Sequence, residues 1–353
     1  MRIVALLLLA IAAYLLFWPI AITPQAWTPP PAPAAQGVLA PNQKLAAVET
    51  LAVQAGAGGE AVAFGPDGRL YTGFVDGRLV AIQPDTGAVE ELANTGGRPL
   101  GLAFAPDGSL LIADAVHGLL ALRAEGLVTL LDSVDGLKLG FADDLAVDSQ
   151  GVVYLSDASH RFGHHEVTAD FFEHAPNGRL IAYELGRGQA RVLLDDLYFA
   201  NGVALGPHED YVLVNETARY RVRKLWLRGP RAGEDEILVD NLPGFPDNIR
   251  RSPRDTYWVA LYGPRSEQLD ALLPRPFLRS VVWRLPEALQ PEPPHVARVL
   301  EIDAEGKILR SLQASGEGVY APVTCAVEHQ DQLWLGSLSA RGIGRYRLPG
   351  QGG

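Results

Sequence analysis

Five stretches of this chain share one pattern: Glu60-Ala-Val-Ala-Phe-Gly-Pro-Asp-Gly68, Leu100-Gly-Leu-Ala-Phe-Ala-Pro-Asp-Gly108, Asp143-Asp-Leu-Ala-Val-Asp-Ser-Gln-Gly151, Asn201-Gly-Val-Ala-Leu-Gly-Pro-His208 and Asp247-Asn-Ile-Arg-Arg-Ser-Pro253. A sixth, Thr324-Cys-Ala-Val-Glu-His329, is looser. Self-similarity of this kind implies a repeat architecture in which no unit can bury its apolar surface alone. Laid in register, the first residues are Glu60, Leu100, Asp143, Asn201, Asp247 and Thr324. Beyond that position each unit repeats the same scaffold. The position itself carries three carboxylates and one carboxamide. Equivalent positions of a cyclic repeat converge on its axis, which predicts an oxygen-rich cluster suited to a hard cation.

Each repeat reads as short strands separated by tight turns. In the unit Gly101 to Asp132, Gly101-Leu-Ala-Phe-Ala is a strand and Pro106-Asp-Gly108 a turn. Leu110 to Asp114, Leu119 to Arg123 and Leu127 to Leu131 are further strands. Four antiparallel strands in so short a span make one propeller blade, and six register points make six blades. The last unit, from Thr324, supplies only three strands, while Leu45 to Val53 precedes the first unit and has no blade of its own. An N-terminal strand that completes the last blade would remove both open edges. A β-sandwich would have no reason for the repeated register. The predicted fold class is therefore all-β, a six-bladed β-propeller over residues 45–353.

Ile3 to Ile22 reads IVALLLLAIAAYLLFWPIAI, an uncharged run of membrane-spanning length with Arg2 ahead of it. Trp18 and Trp27 sit where an interfacial aromatic belt would lie. Residues 1–22 are expected to form an uncleaved transmembrane helix, with the propeller on the periplasmic or extracytoplasmic side. A cleaved leader is the alternative, with Ala32-Pro-Ala-Ala35 as a cut site remote from the apolar core. Residues 23–44, rich in Pro and Ala, are expected to be an extended spacer.

A net charge of −11 argues against a nucleic-acid backbone as partner. The single cysteine, Cys325, can form no intrachain disulfide and reads as a small buried strand residue. Two insertions come after second strands. Ser159 to Asn177 holds His160, His164, His165 and His174 among phenylalanines. Gly263 to Pro294 has apolar residues at partly helical spacing. Both should emerge on one face, where insertions build pocket lids.

Glu60, Asp143, Asn201 and Asp247, with Asn248 and Asp144 beside them, offer the oxygen donors that Ca²⁺ takes. Neither Cys nor His occupies the register position, which argues against zinc and copper. Asp67, Asp107 and Asp148 fall in turns and are read as turn-forming. Catalysis would need a group beside the cation that activates water or attacks directly. Asp247 is the best such group, and His117 and the cluster of His160, His164 and His165 are the other candidates. No serine-nucleophile elbow is present.

The runs Arg98-Pro-Leu-Gly-Leu-Ala103, Ile112-Ala-Asp-Ala-Val-His-Gly-Leu-Leu120, Tyr154-Leu-Ser-Asp-Ala-Ser159, Phe199-Ala-Asn-Gly-Val-Ala204, Leu242-Pro-Gly-Phe-Pro-Asp-Asn-Ile-Arg-Arg-Ser-Pro253 and Leu333-Trp-Leu-Gly-Ser-Leu338 resemble the strictosidine synthase-like group of propellers. The similarity is greatest to the branch that includes adipocyte plasma membrane-associated protein. The group is related to calcium-dependent paraoxonases and gluconolactonases. The resemblance implies metal ligands at Glu60, Asn201, Asp247 and Asn248, and at Asp143 where paraoxonases have Asn. The alkaloid-forming synthases keep a catalytic Glu where this chain has Thr324, and paraoxonases keep a catalytic His where it has Leu100. Both departures argue against those two mechanisms.

The expectation that results is a Ca²⁺-dependent hydrolase of lactones or aryl esters. Asp247 would act with His117, and Arg98, Leu100, His160, His164 and Thr324 would shape the substrate pocket. A non-enzymatic, calcium-stabilised propeller that binds a partner is the alternative, and a condensing synthase is a third that Thr324 disfavours.

Overall fold

The computed structural model describes residues 2–286 and 295–349. Six four-stranded antiparallel sheets succeed one another along the chain. Their innermost strands are Val62–Phe64, Pro99–Phe104, Ala142–Val147, Ala200–Leu205, Gly244–Arg251 and Cys325–His329. The innermost strands of successive blades pack on one another, and the last packs on the first. The first blade runs outward through Leu70–Gly73, Arg78–Ile82 and Val89–Asn94, and the others repeat this order. Alternating Leu, Ile, Val and Ala side chains fill the spaces between blades, for example Leu111, Leu119, Leu145, Val153 and Ile181 between blades two and three. This is the expected six-bladed propeller.

The ring closes as the sequence predicts. Glu49–Leu51 pairs antiparallel with Ile343–Arg347, so the N-terminal strand becomes the outer strand of blade six. The strand is shorter than the stretch expected, because Lys44–Ala47 forms a 3-10 turn that plants Leu45 in the core.

Four inner strands carry a β-bulge, and the bulge falls at the register position. Pairing slips between Pro99 and Gly101, Ala142 and Leu145, Ala200 and Val203, and Pro246 and Ile249. These irregularities bracket Leu100, Asp143, Asn201 and Asp247. A bulge frees residues from the ladder and re-aims their side chains. Glycine makes the close approach possible. A Cβ on Gly202 would lie 2.4 Å from the Ile249 amide nitrogen, and one on Gly336 would lie 1.8 Å from the Glu60 carbonyl oxygen.

The N-terminal segment corrects two expectations. The uncharged run does not make one spanning helix. The helix covers Arg2–Phe17, 16 residues, which at about 1.5 Å per residue is shorter than a bilayer core of about 30 Å. No described helix is long and apolar enough to cross a membrane. The cause is Pro19, which has no amide hydrogen to continue the helical ladder and disfavours helical geometry in the residue before it. Arg284 then donates to the Leu15 and Trp18 carbonyls, and Ile20 and Ile22 pack with Phe162, Ala169, Phe172 and Trp283.

The second correction concerns the spacer. The segment after the helix lies on the propeller rather than standing off it. The Thr23 amide donates to the Glu173 carboxylate at 2.8 Å, and the Trp27 amide donates to the Leu273 carbonyl at 3.1 Å. The Pro30 and Pro31 carbonyls accept from Arg265 and Asn241. Asn42 exchanges hydrogen bonds with Ser311 and Gln313 of blade five. Proline-rich chain has bare carbonyls, and here neighbouring arginine and asparagine side chains take them up.

Both insertions emerge at the ends of second strands, as expected. The first contains helix Val167–Glu173, and the second contains helices Glu267–Leu272 and Pro276–Trp283. The end of the second insertion, residues 287–294, lies outside the described residues. Arg279 joins them, with one nitrogen donating to the Phe172 carbonyl at 2.8 Å and another to the Gln25 carbonyl.

Candidate functional site

The register residues do converge. Glu60, Asp143, Asn201 and Asp247 are 2–4% exposed. Their charges act on one another. Burial pushes the Glu60 carboxyl up to about 7, against the pull of Arg98. Burial also raises Asp143 well above the carboxylate range, with the charges of Glu60 and Asp247 adding to it. Asp247 is raised by burial and then by the charges of Glu60 and Asp144, with Asn201 and Asn248 pulling the other way. Three buried anions crowded in this way cost stability unless a positive charge lies among them.

Three oxygens in the ring have no hydrogen-bonding partner among the described residues: Glu60 Oε2, Asp143 Oδ1 and Asn201 Oδ1. Buried oxygens are normally paired. Three orphaned oxygens on converging residues form the kind of donor set that a hard cation satisfies. The carboxylates alone do not make a metal cage. No three His, Cys, Asp or Glu side chains among the described residues stand in metal-gripping geometry. Any cation here would depend on the carboxamides and on water as well.

Asp144, adjacent in sequence, has a different role. It is fully buried and takes a fork from Arg250 at 2.5 and 2.7 Å, and it accepts the Val203 amide at 2.8 Å. It locks blades three, four and five together. Asn248 is buried between Asp247 and Arg250, with weak contacts of 3.4 Å to each.

Several expected pocket residues are placed elsewhere. Leu100 is buried among Ala115, Phe141, Ala158, Phe199 and Ala218 and is scaffold. Thr324 is fully buried, and its hydroxyl donates to the Glu60 carbonyl at 2.9 Å, tying blade six to blade one. His160 turns its ring to the Asn177 carbonyl at 2.7 Å and closes the neck of the first insertion. His117 is exposed, and among the described residues no hydrogen bond joins it to Asp247. A short turn after the second strand leaves its ring beside Gly97.

Arg98 and His164 do come together. They line a cavity of about 400 Å³ with His165, Val75, Val116 and Leu338. Every lining residue belongs to a loop on the face where the inner strands begin. Arg98 links this cavity to the ring, since one guanidinium nitrogen donates to the Gly58 carbonyl at 2.7 Å and another lies 3.5 Å from Glu60 Oε2.

Four residues with a part in the site were not foreseen. Asn215 donates to the Asp247 carbonyl and Thr217 to the Pro246 carbonyl, which pins the bulge that carries Asp247. Tyr262 is affected by the charges of Asp247 and Glu60, which raise its hydroxyl pKa in addition to burial. Arg250 neutralises Asp144. A second repeated position was legible. Asp114, Asp157 and Glu216 all end second strands, and each accepts nearby backbone amides.

Two family models match the chain, strictosidine synthase over residues 143–230 and the strictosidine synthase-like N-terminal region over residues 37–82. Adipocyte plasma membrane-associated protein from Bos taurus is 37% identical over 337 residues, covering 88% of this chain and 81% of the relative. The chain belongs to the adipocyte plasma membrane-associated protein family of strictosidine synthase-like proteins. Among solved structures, this family member is similar to a gluconolactonase from Xanthomonas campestris, with a TM-score of 0.60 at 14% identity, covering 83% of this chain and 87% of that one. It is also similar to the calcium-binding protein regucalcin from Agrobacterium tumefaciens, with a TM-score of 0.57 at 14% identity, covering 85% and 91%. At such identity the likeness concerns the fold alone.

Proposed function

We propose that this protein is a calcium-dependent hydrolase of lactones or aryl esters. The reading rests on one observation, the three orphaned oxygens of Glu60, Asp143 and Asn201 gathered with Asp247 at the axis. The likeness to a gluconolactonase and to a calcium-binding propeller supports it. Glu60, Asp143, Asn201 and Asp247, with Asn248 beside them, would hold the cation. When bound, calcium supplies a Lewis acid that polarises an ester carbonyl and stabilises the oxyanion that develops. Asp247 acts as the base that takes a proton from water, or as the nucleophile at the carbonyl. The Asn248 side-chain amide donates weakly to its carboxylate at 3.4 Å. Asn215 and Thr217 hold its backbone. The buried setting keeps bulk water from the carboxylate.

A second reading has a specific observation behind it. The ring carboxylates are buried and do not line the cavity beside them, as suits a structural calcium in a propeller that binds a partner. We also propose membrane attachment through helix Arg2–Phe17, with the propeller on the extracytoplasmic side. Its apolar side chains are exposed along its length, Ile3 by 75% and Phe17 by 78%.

Metal analysis of the purified chain, with phenyl acetate and a lactone panel as substrates, tests the first reading. Hydrolysis should stop on chelation and return with calcium. Asp247→Asn should lower kcat by about a hundredfold or more. Full activity after chelation or in Asp247→Asn sinks the mechanism, and inactivity on every ester and lactone favours the second reading.

A further inference from the structure

The cavity beside the ring has a chemistry that the hydrolase reading does not use. Three basic side chains line it, Arg98, His164 and His165, and no acidic side chain does. This is against the composition, because acidic residues outnumber basic ones 41 to 30 along the chain. The other side chains lining it, Val75, Val116 and Leu338, are apolar.

Arg98 is built into place. It is 6% exposed, so its guanidinium is largely removed from water. A guanidinium offers five N–H donors, and among the described residues Arg98 makes one hydrogen bond, to the Gly58 carbonyl. Its contact with Glu60 is a 3.5 Å ion pair, too long for a good hydrogen bond. A buried arginine with donors to spare has a place for an acceptor beside it. The chain is shaped for this position. Gly97, just before Arg98, lies so close to Asp114 that a Cβ there would be 2.2 Å from its carboxylate.

The histidines complete the patch. The His164 and His165 rings lie 3.7 Å apart, and His164 meets the Phe141 ring edge-on. Burial holds His164 below the usual histidine range, and the charges of His165 and Arg98 add to the effect, with the nearby Asp114 carboxylate opposing it only in part. An anion among these groups would relieve that crowding. One guanidinium shared with Glu60, beside two imidazoles, suits a singly charged planar anion better than a phosphate.

We propose that the cavity recognises a carboxylate on the substrate, so that the preferred substrates are esters or lactones that also carry a free carboxylate. Arg98 forks the carboxylate, His164 and His165 donate from the side, and Val75, Val116 and Leu338 cover the carbon chain. The inference rests on the hydrolase reading for its reaction, but its binding part stands apart from it.

The test uses the full chain with calcium. Monophenyl glutarate is compared with phenyl butyrate, its neutral counterpart, by kcat/KM. Glutarate and dimethyl glutarate are titrated calorimetrically as non-reacting probes. The carboxylated ester should be preferred by about tenfold or more, the effect of one charged hydrogen-bonded contact. Glutarate should bind where dimethyl glutarate does not. Arg98→Met and His165→Gln should each reduce the preference ratio, a readout that general loss of activity does not move. Glutarate binding that weakens in Arg98→Met, with no ester hydrolysed at all, sustains the cavity assignment and refutes the hydrolase. Ester hydrolysis with a preference ratio near one and no glutarate binding overturns the inference and leaves the hydrolase standing. Tighter binding of inorganic phosphate than of glutarate also overturns the carboxylate assignment.

Discussion

The indole of Trp27 stacks on the imidazole of His174, with ring centroids 4.7 Å apart and planes 13° apart. Trp27 belongs to the N-terminal segment and His174 caps the helix of the first insertion, so the stack fastens a strap across the face that bears the site. Arg219 lies over the Trp27 ring at 4.6 Å and over Tyr198 at 3.7 Å. Trp27 also packs against the core of blades four and five. Trp27→Ala should therefore lower unfolding stability by about 2 kcal/mol, less than a fully buried tryptophan would cost. It should also expose residues 18–40 to protease. Denaturant unfolding and timed proteolysis check both effects. Val38→Ala, at an exposed strap position, should change neither.

The same histidine predicts a dependence on pH. Burial holds His174 down to about 2, with the charges of Arg219 and Arg279 adding to it. The ring is neutral in the folded protein, while in the unfolded chain it titrates near 6.5. Its contribution is complete above 6.5 and is lost as pH falls from there toward 2, because only the unfolded state takes the proton. Relative to His174→Gln, the parent protein should lose up to about 1.4 kcal/mol of stability per pH unit below 6.5. Urea midpoints for both proteins from pH 8 to pH 4 measure the difference in slope. Parallel profiles would show that His174 does not titrate this way.

The fold was legible because the repeat is written twice, in the register residues and in the turns that close each unit's first hairpin. Closure was legible because a unit with three strands needs a fourth, and Leu45 to Val53 was free to supply it. The axial ring was legible for the same reason, since carboxylates at equivalent positions must meet. The failures have a common physical origin. Leu100 and Thr324 were read from their place in the register, His117 from following a second strand and His160 from the histidine cluster of the first insertion, but where a side chain points depends on neighbours distant in sequence. Thr324 faces the Glu60 carbonyl, and His160 faces Asn177. The strap was missed because composition alone cannot tell a free proline-rich spacer from one whose carbonyls meet Arg265 and Asn241. The membrane span was overestimated because hydropathy disregards Pro19, which ends the helix whatever the polarity of the residues beyond it.

The Asp144–Arg250 fork predicts an asymmetric cost. Arg250→Met leaves a buried, unpaired carboxylate and should destabilise the protein by about 3–5 kcal/mol. Adding Asp144→Asn removes that charge and should restore part of the loss. The double variant is thus expected to be more stable than Arg250→Met alone, as measured by chemical denaturation. Additive losses would mean that the fork carries no coupling.

The orphaned oxygens of the ring predict a crossover. Without a cation, Asp143 is crowded by Glu60 and Asp247, and burial adds to the cost of its charge. Asp143→Asn keeps an oxygen but removes that charge, so in chelator it should be at least as stable as the parent. With calcium the order should reverse. A ligand that binds only the folded state at a hundredfold excess over its Kd adds about 2.7 kcal/mol. Removing one anionic donor weakens the binding and shrinks that gain. Thermal melts of both proteins, in chelator and across a calcium titration, give four curves that must cross for the ring to be the calcium site. An equal calcium-induced shift in parent and variant would place the cation elsewhere. No shift in either would leave the crowded carboxylates to be neutralised by protons, as the rise of Glu60 to about 7 already permits.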